Sequence, residues 1–263
     1  MDPADHCAFN VILYGPRASR WAMTERGAEA AFRSRTVYAL GPSRMEWNGT
    51  HLKFDINEVC FPVFRKLEGT VTVTPSVMVE EEFALAANFD HWWRPLSPRV
   101  DVAVAFSKPS LCWRGTGYLD SNGGRGPIER DFREWDWARV HASDGACIRY
   151  NCQNRDGARN SLALDFDAQG NIRSLPIQGC ASLAPTRIWK MPRQTTSNFP
   201  LRITKTLEDT PFYSRSIISE QASSGPRMMM HESISFLRFE KPIVQAMLPF
   251  RMPRRSRWKA SGV

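Results

Sequence analysis

At 263 residues, 42% apolar and 24% charged, the chain is ordinary for a globular protein and can bury a core as one large β domain or two small ones. No run approaches the roughly 20 apolar residues of a membrane-spanning helix, so any membrane contact is expected from the surface. The formal net charge of +8 suits a nucleic acid, an anionic membrane surface or simply a basic protein, and it is spread out except near the C-terminus.

The first residues, Met1-Asp2-Pro3-Ala4-Asp5-His6, are polar and acidic, unlike a signal peptide. Short strands with period-two alternation follow. Ala8 to Tyr14 is an apolar run, and Ala28 to Arg33 suggests a turn or two of helix. Asn48-Gly49 predicts a hairpin between a strand with Met45 and Trp47 and one with Leu52, Phe54 and Ile56. Val71 and Val73 alternate with threonines. Val100, Val102, Val104 and Phe106 make the cleanest strand. An apolar and aromatic run from Leu111 ends in Tyr118-Leu119-Asp120, before a turn-rich break from Ser121 to Pro127. Ile128 to Trp135 allows a short helix, and Trp135 and Trp137 are spaced to share one strand face. Leu162, Leu164 and Phe166 form another strand, ahead of the turn Gln169-Gly170-Asn171. Ile203, Phe212, Tyr213, Ile217 and Ile218 lie in later strand-like runs, and Pro242 interrupts the pattern from Phe236 to Leu248. The fold class is therefore all-β, of sandwich or barrel type, with a boundary expected in the Gly123–Pro127 break. The tail from Leu248 to Lys259 mixes five cations with Phe, Met and Trp, which suits an anionic bilayer surface or a disordered end.

Cys7, Cys60, Cys112, Cys147, Cys152 and Cys180 show no CxxC pair and no zinc-type spacing, so no structural metal is expected and the thiols read as reduced in a cytosolic setting. There is no GxGxxG after a strand, no phosphate loop and no GxSxG. What remains is acid chemistry without a cofactor. Asp120, two residues after Tyr118, can be desolvated by aromatic neighbours, or with Asn122 it can simply cap a turn. His91, beside Trp92 and Trp93, is a proton relay or an exposed loop residue. Asp136 faces away from its flanking tryptophans and ranks below Asp120; His231-Glu232 lacks an HExxH partner and reads as structural.

Asn10-Val11-Ile12-Leu13-Tyr14-Gly15 followed by Arg20-Trp21-Ala22-Met23-Thr24-Glu25-Arg26-Gly27 resembles the opening of the carotenoid 1,2-hydratases (hydroxyneurosporene synthases) of phototrophic bacteria. The likeness continues in order through His91-Trp92-Trp93-Arg94-Pro95, Gly117-Tyr118-Leu119-Asp120-Ser121-Asn122, Trp135-Asp136-Trp137, Leu207-Glu208-Asp209-Thr210-Pro211-Phe212-Tyr213 and Met247-Leu248-Pro249-Phe250-Arg251-Met252-Pro253-Arg254. The resemblance implies two lipocalin-like (calycin-type) antiparallel β-barrels in tandem, here residues 1–126 and 127–263, the second with the basic tail. It implies hydration of the terminal C1–C2 double bond of neurosporene or lycopene, a hydro-lyase reaction toward spheroidene or spirilloxanthin, with no cofactor and no metal. The family's functional His and Trp match His91 and Trp93, and its Tyr and catalytic Asp match Tyr118 and Asp120. Trp92, Trp135 and Trp137 are the expected substrate-binding residues. The partners implied are an acyclic carotenoid, water and an anionic membrane, with no nucleic acid; the place implied is the cytoplasmic side of the inner photosynthetic membrane, peripherally.

Two departures stand out. Relatives usually carry a short aromatic segment before the block matching Asp2-Pro3, so the expectation is either a missing first strand or a misassigned start codon, and Gly124-Arg125 stands where acidic residues are expected. A carrier of an apolar isoprenoid and a cyclase or isomerase on the same fold are the competing functions.

Overall fold

The computed structural model describes all residues except 1, 16–18, 87–89, 142–144, 177–178, 224 and 256–263, so Arg257, Trp258 and Lys259 of the basic tail lie outside the described residues. Strand accounts for 59% and helix for 10%, an all-β fold of antiparallel sheets, with no closed barrel among the described residues. No helix among the described residues is long and apolar enough to cross a membrane.

The chain divides into two compact units. The first holds Met1–Pro75, Val100–Gly117 and Ala246–Val263; the second holds Ser76–Arg99 and Tyr118–Gln245. The division is interleaved, and two of its four boundaries, after Arg99 and after Gly117, fall inside long strands.

In the first unit β1 (Asn10–Leu13) and β2 (Arg20–Met23) pair as a hairpin. Next come β3 (Ala31–Arg33), β4 (Val37–Leu40), β5 (Ser43–Trp47), β6 (Leu52–Val59) and β7 (Lys66–Pro75), in a second sheet where each pairs antiparallel with the next. Asn48-Gly49 makes the expected turn between β5 and β6, and Gly49 takes φ 97°, a conformation a side chain disfavours. Ala28–Ala30 forms one 3-10 turn before β3, less helix than its composition suggested. The core gathers Ala22, Ile56, Cys60, Leu67, Val104 and Phe106. Beside it, buried Glu58 accepts both terminal nitrogens of Arg26, at 3.0 and 2.8 Å, and the Ser43 hydroxyl at 2.7 Å. That set leaves the buried charge fully partnered, which burial of an ion pair requires.

The second unit opens with β8 (Phe83–Ala84) and the first part of β9 (His91–Lys108); Phe83 pairs with Trp93 and Ala84 with Trp92. β10 (Leu111–Gly124) enters the unit at Tyr118. Ser121 to Gly124, expected as the start of a turn, continues the strand. After α1 (Ile128–Asp131) come β11 (Phe132–His141), β12 (Ala146–Asn154), β13 (Arg159–Phe166) and β14 (Ile172–Ser174). β15 (Cys180–Leu183) pairs with β16 (Arg193–Thr196), and β17 (Leu201–Asp209), β18 (Tyr213–Ala222) and β19 (Gly225–Ser235) complete the strands. The sheet order is β14-β13-β12-β11-β19-β18-β17. Two short helices, α2 (Phe236–Phe239) and α3 (Pro242–Met247), end on either side of the expected proline break.

This sheet has two unlike faces because its strands alternate. One face carries Trp135, Trp137, Ile148, Tyr150, Leu164 and Phe166 and packs with Leu85, Trp93, Phe132 and Phe236 as the main core. The other lies under the β15–β16 hairpin. It carries Ala138, Val140, Cys147, Ile218 and Met229, with a row of polar side chains set out below.

Candidate active site

Tyr118, Asp120 and Asn122 occupy alternate positions of β10 and therefore share a face. Trp93, fully buried on β9, donates its indole N–H to Asp120 Oδ2 at 2.9 Å. Tyr150 on β12 donates its hydroxyl to Asn122 Oδ1 at 3.1 Å. Its ring lies 5.5 Å from that of Trp93 and 5.6 Å, edge-on, from that of Trp135. Trp137 faces Tyr118 at 5.8 Å, and the Arg139 guanidinium sits over the Tyr118 ring at 5.6 Å. Asp120 thus lies among two tyrosines and three tryptophans, anchored by one N–H.

Burial is the main influence on Asp120, and it raises the carboxyl above the ordinary carboxylate range. The Trp93 N–H and the Tyr118 hydroxyl pull the other way, because both favour the ionised form. Glu232, a like charge on the same face of β19, adds a small upward push. Glu232 is itself paired with Arg215 at 2.6 Å. Burial and the neighbouring Asp120 charge also drive the Tyr118 hydroxyl far up. That hydroxyl is buried and meets no hydrogen bond of good geometry, so it is poised beside the carboxyl as a neutral donor.

His91 shares the β9 face of Trp93, two residues away. Its ring is buried, takes Asp131 Oδ2 at Nε2 over 2.7 Å, and meets the Phe132 edge at 5.1 Å. Phe132 in turn touches Trp135 at 5.8 Å. A chain of rings thus links His91 to the surroundings of Asp120, while its own hydrogen bond goes to Asp131. Trp92 lies on the opposite face of β9 by alternation, with its ring against Gly123. A Cβ at Gly123 would come within 2.4 Å of that ring, and one at Gly124 within 2.3 Å of His91 Nδ1. The two glycines are there to let rings lie flat on the strand.

A model of the family described as carotenoid hydratase CrtC matches residues 1–261. The chain belongs to the carotenoid hydratase family. It is 42% identical over 255 residues to an acyclic carotenoid 1,2-hydratase of Thiocapsa roseopersicina, covering 96% of this chain and 63% of that one. It is 35% identical over 263 residues to the enzyme of the same name from Cereibacter sphaeroides, covering 99% and 93%. The chain therefore spans less than two thirds of the Thiocapsa relative's length. Among solved structures, a Nitrosomonas europaea protein assigned to AttH superposes with a TM-score of 0.59 over 86% of this chain and 80% of that one, at 15% identity, which speaks for the fold.

Within this carotenoid hydratase family member, the structure gathers His91, Trp93, Tyr118, Asp120, Trp135 and Trp137 around one aromatic core and sets Trp92 on the far side of its strand. Tyr150, Glu232 and Arg139 belong beside them and were missed in the sequence. Tyr150 had a signal, the alternation Ile148, Tyr150, Cys152, whereas Glu232 was read together with His231 although neighbours on a strand face opposite ways. No group of three metal-ligating side chains stands together among the described residues.

On the other face, Asp136 is buried and accepts a short hydrogen bond from Ser233. Burial raises its carboxyl to about 7, against the Ser233 and Gln194 hydrogen bonds. Asn151, Asp136, Ser233 and Ser214 are consecutive partners across four strands, a polar row under the hairpin. A cavity of about 250 Å³ opens beside it, lined by Asp136, Arg193, Gln194, Met191, Ser233 and Ile234 among others. His231 is fully buried, bonded through Nε2 to the Gln194 carbonyl at 2.9 Å, and burial lowers it to about 4.

Proposed function

We propose that this chain adds water to the terminal C1–C2 double bond of an acyclic carotenoid such as neurosporene or lycopene, giving a tertiary 1-hydroxy carotenoid, as a hydro-lyase that needs no cofactor. Family membership and the names of the relatives support the substrate class. One observation carries the chemistry: Asp120 has its pKa raised by burial and its carboxyl aimed by Trp93 within an aromatic wall.

An unactivated alkene needs a proton delivered to carbon. The Asp120 carboxylic acid gives its proton to C2, and the π electrons form the new C–H bond. C1 becomes a tertiary cation. Water attacks C1, and the oxonium returns a proton to Asp120, so the acid is regenerated. An ordinary carboxyl near 3.9 is mostly ionised at neutral pH, and burial shifts Asp120 toward the protonated form that can donate. Tyr118, Tyr150, Trp135 and Trp137 present ring faces to the cation, an interaction worth about 2 kcal/mol when desolvated. His91, fixed by Asp131, orders the incoming water or relays its proton.

We further propose that the two antiparallel units are lipocalin-like in kind, although their sheets do not close into barrels among the described residues, and that the place of work is the cytoplasmic face of the inner photosynthetic membrane, where the polyene is dissolved. Incubation with lycopene in isotopic water, followed by product mass, tests the function. A product heavier by one labelled water supports hydration. Unchanged substrate fits a carrier, and an isomer of equal mass fits a cyclase; either would overturn the reading.

Trp93→Phe isolates the anchor. Removing the N–H removes a hydrogen bond that favours ionised Asp120, so the acid stays protonated to higher pH. The fall of hydration rate on the alkaline side should move up by about one pH unit, the equivalent of one hydrogen bond to a charged group. A shift downward, or none, would remove Trp93 from the control of Asp120.

A further inference from the structure

We infer that the loop Arg187–Lys190 is a docking surface for an anionic lipid bilayer. The inference rests on the reading above, that the substrate is dissolved in a membrane.

The loop presents Ile188, 73% exposed, and Trp189, 41% exposed, side by side between two cations, Arg187 and Lys190. Apolar and aromatic tips flanked by Arg and Lys are the composition of an interfacial anchor. The backbone behind these tips is held from within. The Asp209 carboxylate accepts the N–H of Ile188 at 2.7 Å and of Trp189 at 3.2 Å. Arg238 donates to the carbonyls of Trp189, at 2.9 Å, and Lys190, at 3.1 Å. Thr186 closes the base: its N–H donates to the Met191 carbonyl at 3.0 Å, and its hydroxyl accepts the Met191 N–H at 2.9 Å. Backbone groups entering a lipid interface lose water, and each must already have a partner. Here the partners at the loop's tip come from the protein.

Lys190 takes φ 50°, the left-handed conformation that a lysine disfavours, and its carbonyl is one of the two that Arg238 holds. A flexible surface loop would relax out of that conformation. This one is fixed so that two large apolar side chains stay in water. The cations complement anionic headgroups, whose attraction acts within a Debye length. Arg238 in α2 and Lys241 just after that helix add to the same sign of charge.

The test uses the full chain with vesicles of phosphatidylcholine and phosphatidylglycerol at three to one, by co-sedimentation, beside vesicles of phosphatidylcholine alone. Wild type is expected on the anionic vesicles. The double variant Ile188→Ser, Trp189→Ser should bind at least about tenfold more weakly, and Arg187→Glu, Lys190→Glu should lose the preference for anionic lipid. Circular dichroism and hydration of detergent-dispersed lycopene should match wild type in both variants. Equal vesicle binding by wild type and the double variant overturns the docking surface. Absence of turnover in wild type on every form of the substrate instead overturns the function, and the two failures are read separately.

Discussion

Asp120→Asn is expected to lower lycopene hydration by roughly 10²- to 10⁴-fold, the usual contribution of a positioned general acid. The substitution keeps size and shape, and the amide oxygen still accepts the Trp93 N–H that Asp120 Oδ2 accepts at 2.9 Å. The side chain keeps its place and loses only its acidic proton. Initial rates from product mass, with the near-ultraviolet signal of the surrounding tryptophans as a check on packing, measure the effect. A rate within tenfold of wild type would return Asp120 to a structural role. Wild-type activity should also fall as the pH rises through the elevated Asp120 pKa, because only the protonated form can donate.

Asp136→Asn is expected to change stability, with a sign set by pH. Folded Asp136 has its pKa raised to about 7, while in the unfolded chain it titrates near 3.8. Between those values the folded state holds a proton that the unfolded state has released, so this group's contribution falls as the pH rises. The span corresponds to about 4 kcal/mol. Asparagine removes the titration, so the variant should gain about that much relative to wild type between pH 4 and pH 7. His231 runs the other way. Its folded pKa near 4 lies below the ordinary 6.5, so its contribution is present above pH 6.5 and is lost as the pH falls to 4. Its Nε2 lies 3.8 Å from Asp136 Oδ1, so the size of the gain is read at pH 7 and above, where His231 is neutral in both proteins. Urea midpoints for the two proteins from pH 4 to pH 8 give the answer; parallel curves would show that Asp136 ionises as freely as it does in water.

Much of the β architecture could be read from alternation. Val100, Val102, Val104 and Phe106 advertise their strand because one face is buried in an apolar core. Trp135 and Trp137 share a face as their spacing required, with Asp136 turned away. Gly123-Gly124 misled. Two adjacent glycines read as a turn, yet they lie in a strand, because the rings of Trp92 and His91 occupy the space that side chains would need. Local pattern cannot report a neighbour about 30 residues away. The same reason hid the Trp93–Asp120 bond, which spans 27 residues, and the Tyr150–Asn122 bond, which spans 28. Alternation fixes which way a side chain points; the strand it points toward is set by register across the sheet. Asp136 was ranked low for facing away from the tryptophans, and that same turn places it beside a polar cavity formed only when the distant β15–β16 hairpin closes over it.

The division of the second unit between Ser76–Arg99 and Tyr118–Gln245 orders events during synthesis. Trp93 and Asp120 leave the ribosome before Phe132, Trp135, Trp137 and Tyr150 exist. Until those residues arrive, Asp120 is a hydrated carboxylate with an ordinary affinity for protons. Its raised proton affinity is acquired only when β11 and β12 fold against it. A nascent or truncated chain that stops short of Tyr150 holds the full set of His91, Trp93, Tyr118 and Asp120 and lacks the aromatic wall that raises the Asp120 pKa, so that shift matures only with its own enclosure.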